Sequence, residues 1–356
     1  MSLSRLTAAR AAWTSGALAA GHVVRTRRDG RALHVTINRP TQLNAIDHDV
    51  VTLLRATLDD AADEPEVETI VLSGAGPRGF SAGGDLVRLR QDGVTDGGWS
   101  MPYWRDLYDL ALVIAELPKP IVAVMDGFVL GGALGLAARA SHRVVTERSV
   151  VGMPETRIGF FPDVGGLHLL SHLPGEVGTY LGLCAETLGG ADAVEVGLAD
   201  HVVLSDDLPR LLDALATRSA DDVLAAANLS TEHLATRDLA GSAWIRECFA
   251  GDDPAVVVER LLRHEHPDAR AAGDVLAQRS PTAVTATLLG LRRAATLDLP
   301  TDLRMELALA EHLRRSHDFL EGIRARLVDK DRAPTWDPAS FDDVDAAGLR
   351  AAMHRP

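Results

Sequence analysis

Glu155 and Asp163 lie in one stretch, Val151 to Leu170 (VGMPETRIGFFPDVGGLHLL), that otherwise reads as buried. Met153, Ile158, Phe160 and Phe161 are apolar, and Pro154 and Pro162 stiffen the backbone before each acid. Burial without a partner raises a carboxyl pKa, and two neighbouring carboxyls push each other's values apart, so one acid and one base can coexist near neutral pH. Both acids also have a plain structural reading: Glu155 can cap a turn after Pro154, and Asp163 can cap a helix opened by Gly165-Gly166.

Two glycine pairs, Gly83-Gly84 and Gly131-Gly132, are the second candidate for chemistry. Each falls between a predicted buried strand and a helix start, where unpaired backbone N–H groups and the positive end of the helix dipole converge. Lacking a Cβ, such a backbone can approach a carbonyl oxygen and grip an oxyanion. A single pair reads as a tight turn. Two pairs followed by an acid-bearing PET-x-IGFFPD segment point to acyl-CoA chemistry, in which an oxyanion hole and a carboxylate are complementary halves. The remaining candidates have bland readings. Asp85 and Asp126 suit a helix cap and a turn. His168 and His172 have a metal-compatible spacing but no third ligand, so no metal is expected. Lys119, between two prolines, reads as a solvated residue at a strand entrance.

The elements that must position these residues alternate. Leu33–Ile37, Thr69–Ser73, Ile121–Met125 and Arg143–Thr146 read as strands, and Asp47–Ala62 as an amphipathic helix with Asp47 at its N-cap. The polar, Gly-rich piece Gln91–Ser100 reads as a lid or surface loop, and a helix is predicted from Tyr103 to Glu116. Strand, Gly-rich turn and helix units with parallel connections imply an α/β core. From Asp207 helical periodicity dominates: Leu208–Arg218, Ala255–Leu262, Ala269–Gln278, Thr282–Ala295, Leu303–Arg314 and Phe319–Val328. The division expected is an N-terminal extension (1–28), an α/β core (29–206) and a helical C-terminal region (207–356). That region is expected to cover the body or to pack on a neighbouring subunit, so a homo-oligomer is one of two outcomes.

Composition bounds the partners. With 356 residues, 46% of them hydrophobic, and a formal net charge of -14, the chain reads as soluble and globular, with no nucleic-acid partner. Cys184 and Cys248 carry no metal-ligand spacing and read as free thiols in a reducing cytoplasm. The acid-free segment before Asp29 reads as a surface helix or disordered arm rather than a signal peptide. Ile121–Ala138 approaches the length of a membrane span, but Asp126-Gly127 and Gly131-Gly132 divide it, so no membrane partner is expected.

NRPTQLNA from Asn38, FSAGGDL from Phe80, DGFVLGGALGL from Asp126 and MPETRIGFFPDVGG from Met153 resemble the enoyl-CoA hydratase/isomerase (crotonase) superfamily. PET-x-IGFFPDVGG, with HDFLEGIRARLVDKDRAPTW from His317 to Trp336, is similar to its 3-hydroxyisobutyryl-CoA hydrolase branch. The resemblance runs from about Leu33 to Pro338. It implies an α/β crotonase-like spiral of β-β-α units followed by a helical C-terminal region, and a CoA thioester as substrate with no separate cofactor. It further implies that the N–H groups of Gly84 and Gly132 form the oxyanion hole and that Glu155 and Asp163 are catalytic. Arg39, Asn44, Ala45, Ala82, Gly83, Asp85, Gly131, Gly135 and Phe160 are the implied substrate-binding positions.

The departures from the family pattern carry information too. Hydratases of this superfamily usually have a second glutamate where this chain has Gly135, which disfavours hydration of a double bond. Ala133 stands where hydrolase relatives often have a third glycine, and Thr41 stands where a basic residue near the CoA phosphates is usual. The function expected is hydrolysis of 3-hydroxyisobutyryl-CoA or a similar short 3-hydroxyacyl-CoA. The alternatives are an enoyl-CoA hydratase or isomerase and a non-catalytic acyl-CoA-binding protein.

Overall fold

Short runs of branched apolar residues build a six-stranded sheet. Val24–Asp29, Ala32–Ile37, Thr69–Gly74, Ile121–Met125, His142–Val145 and His201–Val202 follow one another across it. The first pair is antiparallel and every later pair parallel, with Leu33 opposite Ile70, Ile70 opposite Ile121, and Val122 opposite His142. Central parallel strands are covered on both faces, which is why Ile70–Leu72 and Ile121–Met125 are continuously apolar and buried. The computed structural model describes residues 22–227 and 236–354. Residues 24–28 of the expected extension are therefore part of the sheet, while 1–21 lie outside the described residues.

Two compact units divide the chain, and they are interleaved along it. One comprises residues up to Gly84, Asp109–Val151 and Leu188–Arg237; the other comprises Asp85–Tyr108, Gly152–Thr187 and the residues from Asp238 onward. The boundary expected at 206/207 does not coincide with this division. Leu208, Leu211 and Leu215, on the helix Leu208–Leu215, bury themselves with Val71, Val122, Val124 and Val144 of the sheet, so these helical residues complete the first unit.

In the first unit the helix His48–Asp63 starts as its sequence demands: the Asp47 carboxylate accepts from the N–H of Val50 at 2.9 Å. At its other end Lys119 is a capping group rather than a solvated one, donating to the carbonyls of Ala61 (2.7 Å) and Glu64 (2.5 Å). Asp126 accepts from the Thr146 hydroxyl at 2.6 Å and pairs with Arg148, which suits the turn expected there.

The second unit is helical. Pro254–Arg263, Pro281–Ala294 and Leu299–Leu313 each begin with an acceptor side chain (Asp253, Ser280, Asp298) followed closely by proline, whose fixed φ suits the first turn and whose missing N–H costs nothing there. Contrary to the expected lid, residues 91–95 lie in the helix Leu86–Thr95. Asp92 on that helix is buried and accepts from the N–H groups of Trp99 (2.7 Å) and Ser100 (3.0 Å), which ties down the turn that follows. The predicted helix Phe319–Val328 is an α-helix over His317–Ile323 continued as a π-turn over Arg324–Val328. Among the described residues no helix is long and apolar enough to cross a membrane.

Candidate active site

The glycine pairs belong to the first unit, on loops that touch. A Cβ placed on Gly83 would lie 2.9 Å from the Leu130 carbonyl oxygen and 3.6 Å from the Gly132 nitrogen, and φ there is +95°, so only glycine fits comfortably. Gly131, at φ +59°, turns the chain into the helix Gly132–Ala137. Among the described residues the N–H groups of Gly84 and Gly132 donate no backbone hydrogen bond. Two unspent donors on adjoining glycine loops are what an oxyanion requires.

Neighbouring side chains brace these loops. Asn44 is buried; its carbonyl oxygen accepts from the N–H of Arg39, and its amide donates to the carbonyls of Ala75 (2.9 Å) and Gly79 (3.0 Å). Arg39 donates to the Ala45 carbonyl at 2.6 Å and pairs with Asp47 at 3.3 Å. The Ala82 N–H reaches the Leu43 carbonyl, and the buried Ser81 hydroxyl donates to the Asn44 carbonyl while accepting from the N–H of Gly83. Gly135 is buried inside the helix Gly132–Ala137, with no side chain to serve as a second acid.

Glu155 and Asp163 belong to the second unit, and both are 7% exposed. Glu155 opens the 3-10 turn Glu155–Ile158, and its Oε2 is buried with no hydrogen-bond partner among the described residues. Burial first, and the charge of Asp163 second, hold its pKa well above the usual carboxyl range. Asp163 is better solvated by protein: its Oδ2 accepts from the Trp104 indole N–H and the Tyr108 hydroxyl, each at 3.1 Å. Burial still raises it to about 7, against the pull of those two donors. Burial and the Asp163 charge keep the Tyr108 hydroxyl protonated, so it remains a donor. Of the two, Asp163 therefore ionises first, and Glu155 is the acid without a compensating donor.

Phe160 lies in an aromatic cluster, its ring centroid 5.7 Å from Trp104 and 4.5 Å from Phe319. Asp85 caps the helix Leu86–Thr95, accepting from the N–H of Arg88 at 3.3 Å, as its sequence context suggests. His168 and His172 stack on each other, and His172 Nδ1 lies 2.7 Å from the His168 carbonyl.

The enoyl-CoA hydratase/isomerase family matches residues 32–353. The chain belongs to that family. Among curated members of the family, the mitochondrial 3-hydroxyisobutyryl-CoA hydrolase of Rattus norvegicus is 37% identical over 328 residues, covering 89% of this chain and 85% of the relative. The Gallus gallus protein of the same name is 34% identical over 327 residues, with the same coverage, 89% and 85%. Among solved crotonase folds, a carnitinyl-CoA dehydratase from Mycobacterium thermoresistibile superposes with a TM-score of 0.89 at 38% identity, covering 94% of this chain and 97% of its own. The fold is thus the crotonase-like α/β architecture with a helical C-terminal region.

Sequence reasoning missed the residues that surround the acids in this family member. Trp104 and Tyr108 are spaced i, i+4 on the helix Ser100–Glu116, so their polar tips reach the same carboxylate oxygen. Their signal was two aromatics with polar handles on a buried helical face. Glu306, an acid in the otherwise apolar run around Met305, was legible in the same way.

Proposed function

We propose that this chain hydrolyses the thioester of 3-hydroxyisobutyryl-CoA, or of a similar short 3-hydroxyacyl-CoA, to the free acid and CoA. One arrangement carries the reading: Glu155 is a buried carboxyl with an unpartnered oxygen, Asp163 is held by two donors, and the second-glutamate position is Gly135. Hydration of a double bond needs a proton donor and a base on the alkene, and Gly135 offers neither. Thioester hydrolysis needs one carboxylate and a stabilised oxyanion.

In this mechanism the N–H groups of Gly84 and Gly132 take the developing charge on the thioester oxygen. Glu155, once deprotonated, either attacks the carbonyl carbon or removes a proton from the attacking water. In the first route the C–S bond breaks, CoA leaves as thiolate, and water cleaves the resulting anhydride; in the second, water supplies the new C–O bond directly. Asp163 orients the substrate hydroxyl or the water. Label in the Glu155 side chain after multiple turnovers in ¹⁸O-labelled water would establish the anhydride route, with water attacking the Glu155 carbonyl carbon. The names of the curated hydrolase relatives support the substrate class.

The deciding assay is thiol release over a panel of short 3-hydroxyacyl, branched acyl and enoyl CoA esters. Release from the 3-hydroxyacyl esters, abolished in Glu155→Gln and Asp163→Asn with folding intact, is the expected result. An absorbance change on enoyl esters without thiol release would favour a hydratase instead, and tight acyl-CoA binding with no reaction would favour a binding protein. Cytoplasmic placement belongs to the same reading, on the two buried free thiols, and is checked by cell fractionation.

A further inference from the structure

Asp163 sits at the start of an unusual turn. Val164 has φ +60° and Gly165 φ +74°, two consecutive residues in the left-handed region, and Val164 is fully buried. A β-branched residue is a real outlier there, because its side chain crowds the following carbonyl, and a conformation of this kind persists only where its surroundings enforce it. The N–H of Gly166 closes the turn onto the Asp163 carbonyl at 2.9 Å, but one backbone bond does not account for two left-handed residues.

The enforcement comes from far along the chain. Glu306, on the helix Leu299–Leu313, is fully buried, and its two oxygens accept separately: Oε2 from the N–H of Gly165 at 2.7 Å and Oε1 from the N–H of Leu167 at 2.9 Å. A helix start is ordinarily capped by the residue beside it, at little desolvation cost. Here the N-cap residue is Gly165, which has no side chain to offer, and the acceptor is an acid taken wholly out of water. Asp302, one turn earlier on the same helix and equally buried, adds its charge to the burial that raises the Glu306 pKa well above the usual carboxyl range. Burying two acids to hold two N–H groups is expensive for a cap alone.

We propose that Glu306 is a positioning residue for Asp163: its two carboxyl oxygens clamp the Val164–Gly165 turn in the left-handed conformation that aims Asp163 at Trp104 and Tyr108. The catalytic consequence rests on the hydrolase reading above; the conformational claim does not. The groups facing Asp163 are Trp104 and Tyr108 from the helix Ser100–Glu116, Glu155 from its own segment, and Glu306 from the helix Leu299–Leu313.

The test uses the full chain and three variants. Glu306→Gln keeps the shape and replaces one acceptor oxygen by a donor, whereas Glu306→Asp keeps the acid and withdraws both acceptors. In the third, Val164→Gly is added to Glu306→Gln, so that the turn tolerates positive φ unaided. The readout is the pH titration of the Trp104 indole N–H resonance, assigned by its loss in Trp104→Phe. Both single variants, folded by circular dichroism, should displace the inflection seen in the wild type. They should also lower kcat on the thioester roughly ten- to a hundredfold, with KM little changed, as for a misplaced catalytic group. Adding Val164→Gly should return the inflection and kcat part-way. An unchanged Trp104 titration in both single variants overturns the proposal. Absence of thiol release by the wild type would instead sink the hydrolase reading, with the resonance still deciding the role of Glu306.

Discussion

A carboxyl removed from water either finds donors or keeps its proton. Asp163 has found two donors on one oxygen, and Glu155 Oε2 has found none among the described residues. The two acids are therefore unequal before any substrate arrives, and the difference lies in Trp104 and Tyr108. Tyr108→Phe removes one hydrogen bond that favours the Asp163 anion, leaving burial less opposed. Asp163 should then titrate above its present value of about 7, and the Trp104 indole resonance, which reports on the same oxygen, should show its inflection at higher pH. An inflection that stays or falls would mean that the hydroxyl does not govern this acid. At this scale the sequence was half legible. Glu155 and Asp163 declared themselves as charges among apolar neighbours, but their inequality depends on residues from another helix that no local pattern connects to them.

At the scale of elements, the acid-bearing segment is held by close backbone contact. A Cβ on Gly159 would lie 2.3 Å from the Asp318 carbonyl oxygen, and one on Gly322 would lie 2.4 Å from the Ile158 carbonyl carbon. The turn Glu155–Ile158 and the helix His317–Ile323 therefore touch backbone to backbone, with glycine on each side. Thr156 adds hydrogen bonds to the carbonyls of Gly182 and Leu183, and Arg157 another to that of Ala185, fastening the turn to the end of the helix Val177–Cys184. Gly322→Ala has no room to relax. Overpacking of this kind costs about 1–3 kcal/mol or more, and displacement of Glu155 should lower kcat beyond what the stability loss explains. Thermal unfolding and turnover on the same preparation check this; a variant with wild-type Tm and kcat would refute the tight apposition. The strands and the capped helices were legible because their causes are local: apolar runs, Asp47 before His48, Ser280 before Pro281. The second half of the helix Leu86–Thr95, residues 91–95, was not, because its polar surface and Gly93 look like a loop until the helix is seen packed, where a Cβ on Gly93 would meet the Arg314 carbonyl oxygen at 2.8 Å.

At the scale of the whole molecule, a chain with a formal net charge of -14 also buries Glu155, Asp163, Asp302 and Glu306 in one unit. Burial is the leading cause of the raised pKa at Glu155, Asp163 and Glu306, so the folded chain holds protons that the unfolded chain releases. For Asp163 the window runs from the ordinary value of 3.8 to about 7. Across it the native state binds the extra proton, so this group's contribution to stability is fully present below the lower value and is lost as pH rises through the upper one. Asp163→Asn stays neutral at every pH and can still accept from Trp104 and Tyr108. The variant should therefore match the wild type in Tm near pH 5 and exceed it by several degrees near pH 8. A Tm difference between variant and wild type that stays flat from pH 5 to pH 8 would show that Asp163 is ionised throughout and that burial does not raise its pKa. A difference that grows with pH would mean that the wild type gives up stability near neutrality to keep this carboxylate in place.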